Sequence, residues 1–193
     1  MILPIVAYGH PVLRKVCKDI FPDYPGLEKL IADMWETMQA SNGVGLAAPQ
    51  VNKDIRLFVV DSTHIFESME DEERKNYPDA PGLRKIFINA HIWEIDGEEW
   101  VYNEGCLSIP KIREDIYRHE TVTLKYMDEN FNSHKEIFTG LTARVILHEY
   151  DHIEGKLFID YLTPLKKKLM KGRLNDISKG NVEVDYKMLF PGK

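Results

Sequence analysis

Cysteine is scarce in this chain: Cys17 and Cys106 are the only two among 193 residues. That is too few for a disulfide framework. One bridge between them stays open on sequence grounds, but nothing else points to an oxidising compartment. Long apolar runs are lacking too. No stretch approaches the roughly 20 residues a membrane-spanning helix needs. The start, Met1-Ile2-Leu3-Pro4, has no basic region and is interrupted by proline, so neither a secretory signal nor a membrane span is expected. Internal repeats and low-complexity tracts are absent. Positive charge is in deficit, with 25 Lys and Arg against 31 Asp and Glu and a net charge of −6. Such a chain is a poor general binder of nucleic acid, and sequence-specific nucleic-acid recognition is not expected. With 44% hydrophobic and 29% charged residues, what remains is a single catalytic-sized domain over 1–193, cytoplasmic in character.

Chemistry concentrates in His148-Glu149-Tyr150-Asp151-His152. On a helix, positions four apart face the same way, so both histidines can aim an imidazole at one cation. Glu149 then stands beside the metal, where a general base takes a proton from an activated water instead of ligating the ion. Leu141, Val145, His148 and His152 fall at spacings of four, three and four and form one stripe, which predicts the helix. Thr139 is the expected N-cap and Gly155 the expected stop after Ile153. A histidine pair at this spacing also arises by chance, and the intervening glutamate is what favours the ligand reading.

Two histidines leave a zinc-like or iron-like ion short of a ligand. Cys106, in Glu104-Gly105-Cys106-Leu107-Ser108, is the best third donor. Gly105 lets backbone come close to something bulky, and Leu107-Ser108-Ile109-Pro110 looks like a strand ending at a proline. Cys17 reads as a small buried hydrophobe. His64, His91, His119 and His134 lie in polar surroundings and are weaker candidates, and Glu154 is too near His152 to wrap round the ion.

A further segment, Gly43-Val44-Gly45-Leu46-Ala47-Ala48-Pro49-Gln50, is by itself a glycine-rich turn packed by small residues. In the order GVGLAAPQ, EGCLS, HEYDH, however, the chain resembles the peptide deformylases from about Tyr8-Gly9-His10-Pro11 to Gly155-Lys156-Leu157-Phe158-Ile159-Asp160. The resemblance implies hydrolytic removal of the formyl group from the N-terminal formylmethionine of nascent peptides, releasing formate. It implies a divalent metal, natively Fe(II), on Cys106, His148 and His152, with Glu149 as catalytic base. It also implies that Gln50 and the backbone N–H of Leu107 hold the developing oxyanion.

These roles make physical sense. A formyl group is a poorly electrophilic amide carbonyl, so hydrolysis needs an activated hydroxide and a place for the negative oxygen. A thiolate softens the site, which then tolerates Zn(II), Ni(II) or Co(II) as well as Fe(II). The methionine side chain needs a flexible apolar slot, and Val44, Leu141 and Val145 either line one or are plain core. The backbone of Gly43, Val44, Gly45 and Gly105 is placed to pair with an extended peptide. Arg113 is a candidate contact for the peptide backbone, and Glu104 for loop salt bridges near the site. Asp151 either orients a ligand histidine, or pairs with Arg144 or is simply solvated.

Leu27, Leu30, Ile31, Met34, Trp35 and Met38 predict an amphipathic helix ending near Asn42-Gly43. Strands are expected at Ile55 to Val60 and Ile86 to Asn89, with a hairpin over Ile92 to Tyr102 turning at Asp96-Gly97 and a pair, Val122 to Met127 and Glu136 to Phe138, around Asn130. The fold class is therefore α+β, with antiparallel strands packed around a central helix that carries the HExxH motif. Residues 62–84 read as a charged inserted loop on the surface. Residues 164–193 read as a basic helix, with Lys166, Lys167, Lys168, Lys171 and Arg173, followed by a weakly alternating strand. That helix is either solvated or a patch able to meet the ribosome. A zinc endopeptidase and a closed structural metal site are the rival functions.

Overall fold

The apolar stripe of residues 27–38 forms the helix it predicts. In the computed structural model, which describes residues 1–192, α1 runs Leu27–Ala40 and buries Leu27, Leu30, Ile31, Met34 and Met38. Ser41 and Gly43 both donate to the Met38 carbonyl as the helix ends, delivering the glycine-rich segment just beyond it. The strands β2 (Gly45–Ala47), β3 (Leu57–Asp61), β4 (Arg84–Cys106), β5 (Ile109–Met127) and β6 (Ser133–Thr139) form one sheet in sequence order. Every pairing in it is antiparallel. A short parallel pair, β1 (Ile5–Val6) with β7 (Met188–Leu189), joins the two ends of the chain.

The β3 strand shows how the core divides. All five of its residues are buried, as expected for a strand covered on both faces. Phe58 and Val60 join Phe87, Tyr126 and Phe138 in one cluster, and Leu57 and Val59 join α1 in another. Phe58 stacks on Phe87 with ring centroids 4.8 Å apart, and truncating such a side chain typically costs about 3–5 kcal/mol. The helix α4 (Gly140–Ile153) packs Ala143, Val145, Ile146, Leu147 and Ile153 into the Phe58 cluster. It is the central, motif-carrying helix that the pattern predicts. Thr139 occupies the N-cap, but its side chain makes no capping bond. Asp79 does that work, accepting from the Thr142 N–H at 2.8 Å. Gly155 follows the C-cap Glu154, and its N–H and that of Lys156 close the helix onto the His152 and Asp151 carbonyls.

Two strand assignments need correction. The β4 strand does not turn at Asp96-Gly97. It continues to Cys106, and the register shift between Asp96 and Glu99 is a bulge. Gly97, at φ +79, takes the left-handed conformation the bulge needs, a device by which an antiparallel strand bends without ending. The hairpin turn lies instead at Leu107-Ser108, between Cys106 and Ile109. Pro110 is accordingly near the start of a strand, not at its end.

Residues 62–84 contain two short helices, α2 (Thr63–Glu67) and α3 (Asp71–Arg74). They are not wholly solvated: Ser62 and Phe66 are buried, and the Ser62 hydroxyl lies 2.9 Å from that of Thr142. The final helix, α5 (Pro164–Lys179), buries Met170, Leu174 and Ile177 and leaves its lysines exposed. Both cysteines are free. Among the described residues, no helix is long and apolar enough to cross a membrane.

Candidate metal centre and cleft

The helix α4 carries His148 and His152 one turn apart, with ring centroids separated by 5.2 Å. The β4–β5 turn brings Cys106 to them, its Sγ lying 3.3 Å from His152 Nε2. One donor atom from each of these three residues falls within 4.8 Å of the others. Burial works to discharge both imidazoles. At His148 the Cys106 thiol and Glu104 outweigh it and hold the pKa well above the ordinary histidine value. At His152, burial reinforced by the His148 charge takes it well below.

Behind His148, Glu104 accepts from its Nδ1 at 2.9 Å. The same carboxylate accepts from Arg118 Nε and Nη2 at 2.7 and 3.1 Å and from Arg144 Nη1 at 3.0 Å. Burial opposes ionisation of Glu104, but His148 and Arg118 hold its carboxyl far below the usual range. This bond fixes the His148 ring and leaves its other nitrogen for the cluster with Cys106 and His152. Asp151 fits none of its expected roles, and it is buried, not solvated. It accepts from Arg118 at 2.7 Å and from the Tyr161 hydroxyl at 3.0 Å, because its position on α4 faces β5 and the segment after the helix. Arg144 binds Glu104 and the Ile116 and Trp100 carbonyls instead.

Glu149 is equally buried, at 4% exposed, but its Oε2 has no hydrogen-bond partner among the described residues. Burial pushes its carboxyl up to about 7. It lies against Gly45, where an added Cβ would stand 2.5 Å from Glu149 Oε1. Only glycine leaves room there for the carboxylate. Gln50 is oriented by the Ala47 N–H, which donates to its Oε1 at 2.8 Å. Its Nε2 is thereby left toward Cys106 Sγ at 3.6 Å and Ser108 Oγ at 3.4 Å.

These groups border a cleft of about 660 Å³. Gly43, Val44, Gly45, Gly105, Leu107, Arg113, Leu141 and Val145 all line it, so every residue assigned to the site from sequence, apart from the more deeply set His152, meets in one cavity. Arg113 is held at the rim by Asn103, through its side chain and its carbonyl. His64, His91, His119 and His134 lie near surface carboxylates. The cleft also has lining that the sequence reading missed: Ile65 of α2, Tyr102, and Glu183 to Tyr186 of the C-terminal segment. The weak alternation of residues 182–190 was the one available signal for the last of these.

Two imidazoles and a thiol converging beside a buried carboxylate oxygen without a partner fit one divalent ion bound by nitrogen and sulfur. Fold and site together define a metal-dependent hydrolase. A family model described as polypeptide deformylase matches residues 2–168. The chain is 55% identical over 193 residues to a peptide deformylase of Christiangramia forsetii, covering 99% of this chain and 97% of that protein. It is 51% identical to one of Cytophaga hutchinsonii, covering all of both. The crystal structure of a peptide deformylase from Ehrlichia chaffeensis superposes with a TM-score of 0.80 at 30% identity, covering 94% of this chain and 99% of that one. The chain belongs to the polypeptide deformylase family. It is a hydrolase of formylated nascent peptides, and the endopeptidase alternative is set aside.

Proposed function

We propose that Cys106, His148 and His152 hold one divalent ion, Fe(II) natively, and that Glu149, Gln50 and Leu107 carry out deformylation of N-terminal formylmethionine at it. The observation that carries this reading is the converging Cys-His-His donor set with a buried, unpartnered Glu149 oxygen beside it. When bound, the ion supplies Lewis acidity that activates water and polarises the formyl oxygen. Glu149 takes the proton from the attacking water and returns it to the leaving amine. A carboxylate beside the ion, with an oxygen that has no partner among the described residues, can take up a proton and give it back. Gln50 Nε2 and the Leu107 N–H donate to the oxygen of the tetrahedral intermediate. Glu104, through its bond to His148, keeps the imidazole in one tautomer and orientation. The mixed nitrogen and sulfur donor set also accepts Zn(II), Ni(II) or Co(II).

The methionine side chain enters between Val44, Leu141 and Val145. The peptide lies along Gly43, Val44, Gly45 and Gly105, with Arg113 on its backbone. In support, β2 is an edge strand of its sheet, and an extended peptide adds to such an edge through main-chain bonds that tolerate many sequences. The whole chain, 1–193, acts as one catalytic domain in the cytoplasm. The exposed lysines of α5, such as Lys168 and Lys171, offer a surface for the ribosome, where the substrate emerges.

The test is formate release from a formyl-Met tripeptide by anaerobically purified protein and its Glu149→Ala variant, with metal analysis of both. Release by the parent alone, with one metal ion in each, is expected. Metal bound but no formate from either overturns the reading.

A further inference from the structure

The segment after α5 returns to the cleft. Gly180, at φ +81, ends the helix, and residues 181–187 then alternate exposed and half-buried. Beyond them β7 is pinned to β1, with the Ile5 N–H donating to the Lys187 carbonyl and the Ala7 N–H to that of Leu189. Tyr186 sits between these anchors. It packs beside Leu107 against the core cluster under α1, and its hydroxyl donates to the Leu107 carbonyl at 2.7 Å. The next carbonyl, that of Ser108, accepts from the Tyr8 N–H at 2.8 Å. Two successive carbonyls of the turn between Cys106 and Ile109 are therefore held by groups from opposite ends of the chain.

That turn carries the Leu107 N–H. An oxyanion donor is effective only over a narrow range of distance to the oxygen it stabilises, and a tight turn held at one carbonyl has less freedom to swing its neighbouring N–H. A tyrosine hydroxyl is protonated at neutral pH, and burial raises its pKa further, so it remains a donor under working conditions.

We propose that Tyr186 is a positioning residue for deformylation, and that the C-terminal segment thereby completes the catalytic cleft by fixing the turn that presents the Leu107 N–H. The inference rests on the oxyanion role assigned above to Leu107 and Gln50. Tyr186→Phe removes one oxygen and keeps the ring. Because the oxyanion exists only after attack, the loss belongs in kcat and not in KM.

The experiment measures kcat, KM, metal content and Tm for the parent, Tyr186→Phe and Gln50→Leu with the same formyl-Met tripeptide. A fall in kcat of about five- to tenfold for Tyr186→Phe, with KM and metal content at parental values, is the expected result. An unchanged kcat beside a roughly hundredfold loss in Gln50→Leu overturns the role of Tyr186 and spares the oxyanion assignment. A loss that appears as a higher KM or as missing metal makes Tyr186 a binding or structural residue and overturns the proposal. Parental kcat in Gln50→Leu removes the oxyanion assignment, and this inference with it.

Discussion

Behind His148 and in front of it lie two regions that are equally buried and electrostatically opposite. Glu104 and Glu149 are each 4% exposed. Glu104 accepts from His148, Arg118 and Arg144 and is held ionised. Glu149 Oε2 finds no partner among the described residues, and its carboxyl rises to about 7. Desolvation disfavours the charge in both. What separates them is the supply of donors. One carboxylate is taken up by His148 and two arginines, and the other keeps an oxygen without a donor among the described residues. On the proposed mechanism, this uneven supply of arginine gives the site both a fixed charge and a mobile proton.

Breaking the front region has the largest expected effect. Glu149→Gln keeps shape and burial but cannot take a proton, so formate release falls by about a thousandfold. Thermal stability stays level or rises, because an unpaired buried carboxylate is gone. A loss of activity accompanied by a lower Tm would instead mean that Glu149 is structural. Breaking the rear region acts on stability. Glu104→Ala leaves Arg144, a residue only 3% exposed, without its carboxylate and Arg118 with Asp151 alone, at a cost of about 3–5 kcal/mol. It also weakens metal affinity by about 10- to 100-fold. Urea unfolding and metal titration measure the two, and parental values in both would refute the orienting role.

The smallest effect separates donor supply from burial. Asp128, in the β5–β6 turn, accepts from His134, from the backbone of Asn130 and Asn132, and from the Asn132 side chain, yet it is partly exposed. The His134 bond leads in taking its carboxyl down to about 2. A depressed carboxylate contributes stability above its unfolded pKa and loses that contribution as pH falls through the folded value. Asp128→Asn should therefore lower Tm at neutral pH, by an amount that shrinks as pH approaches 2. A gap between variant and parent that stays constant across the titration would show that charge is not what the turn uses.

Legibility followed sequence distance. The α4 helix, its histidine pair and its stop at Gly155 were readable because all of that information lies within a few turns. The first motif's helix was readable for the same reason. The hairpin was misplaced because Asp96-Gly97 has the composition of a turn and of a bulge alike, and only the register against β5, as far as His119 and Thr121, shows that the strand continues. Asp151 was misassigned because its partners, Arg118 and Tyr161, come from other elements. Residues 62–84 looked solvated because their charge is local, whereas the Asp79 cap on α4 joins positions 63 residues apart.

By itself the sequence determined the donor types, the helix that aligns two of them, the neighbouring carboxylate and the α+β class. Those follow from residue chemistry and short-range periodicity. Only the tertiary structure decided that Glu104, and not Asp151, backs His148, that Glu149 is left without a partner, and that Tyr186 reaches Leu107. These depend on which distant backbone segments pack together, and burial and partner supply, which set what a carboxylate or hydroxyl can do, exist only after that packing is complete.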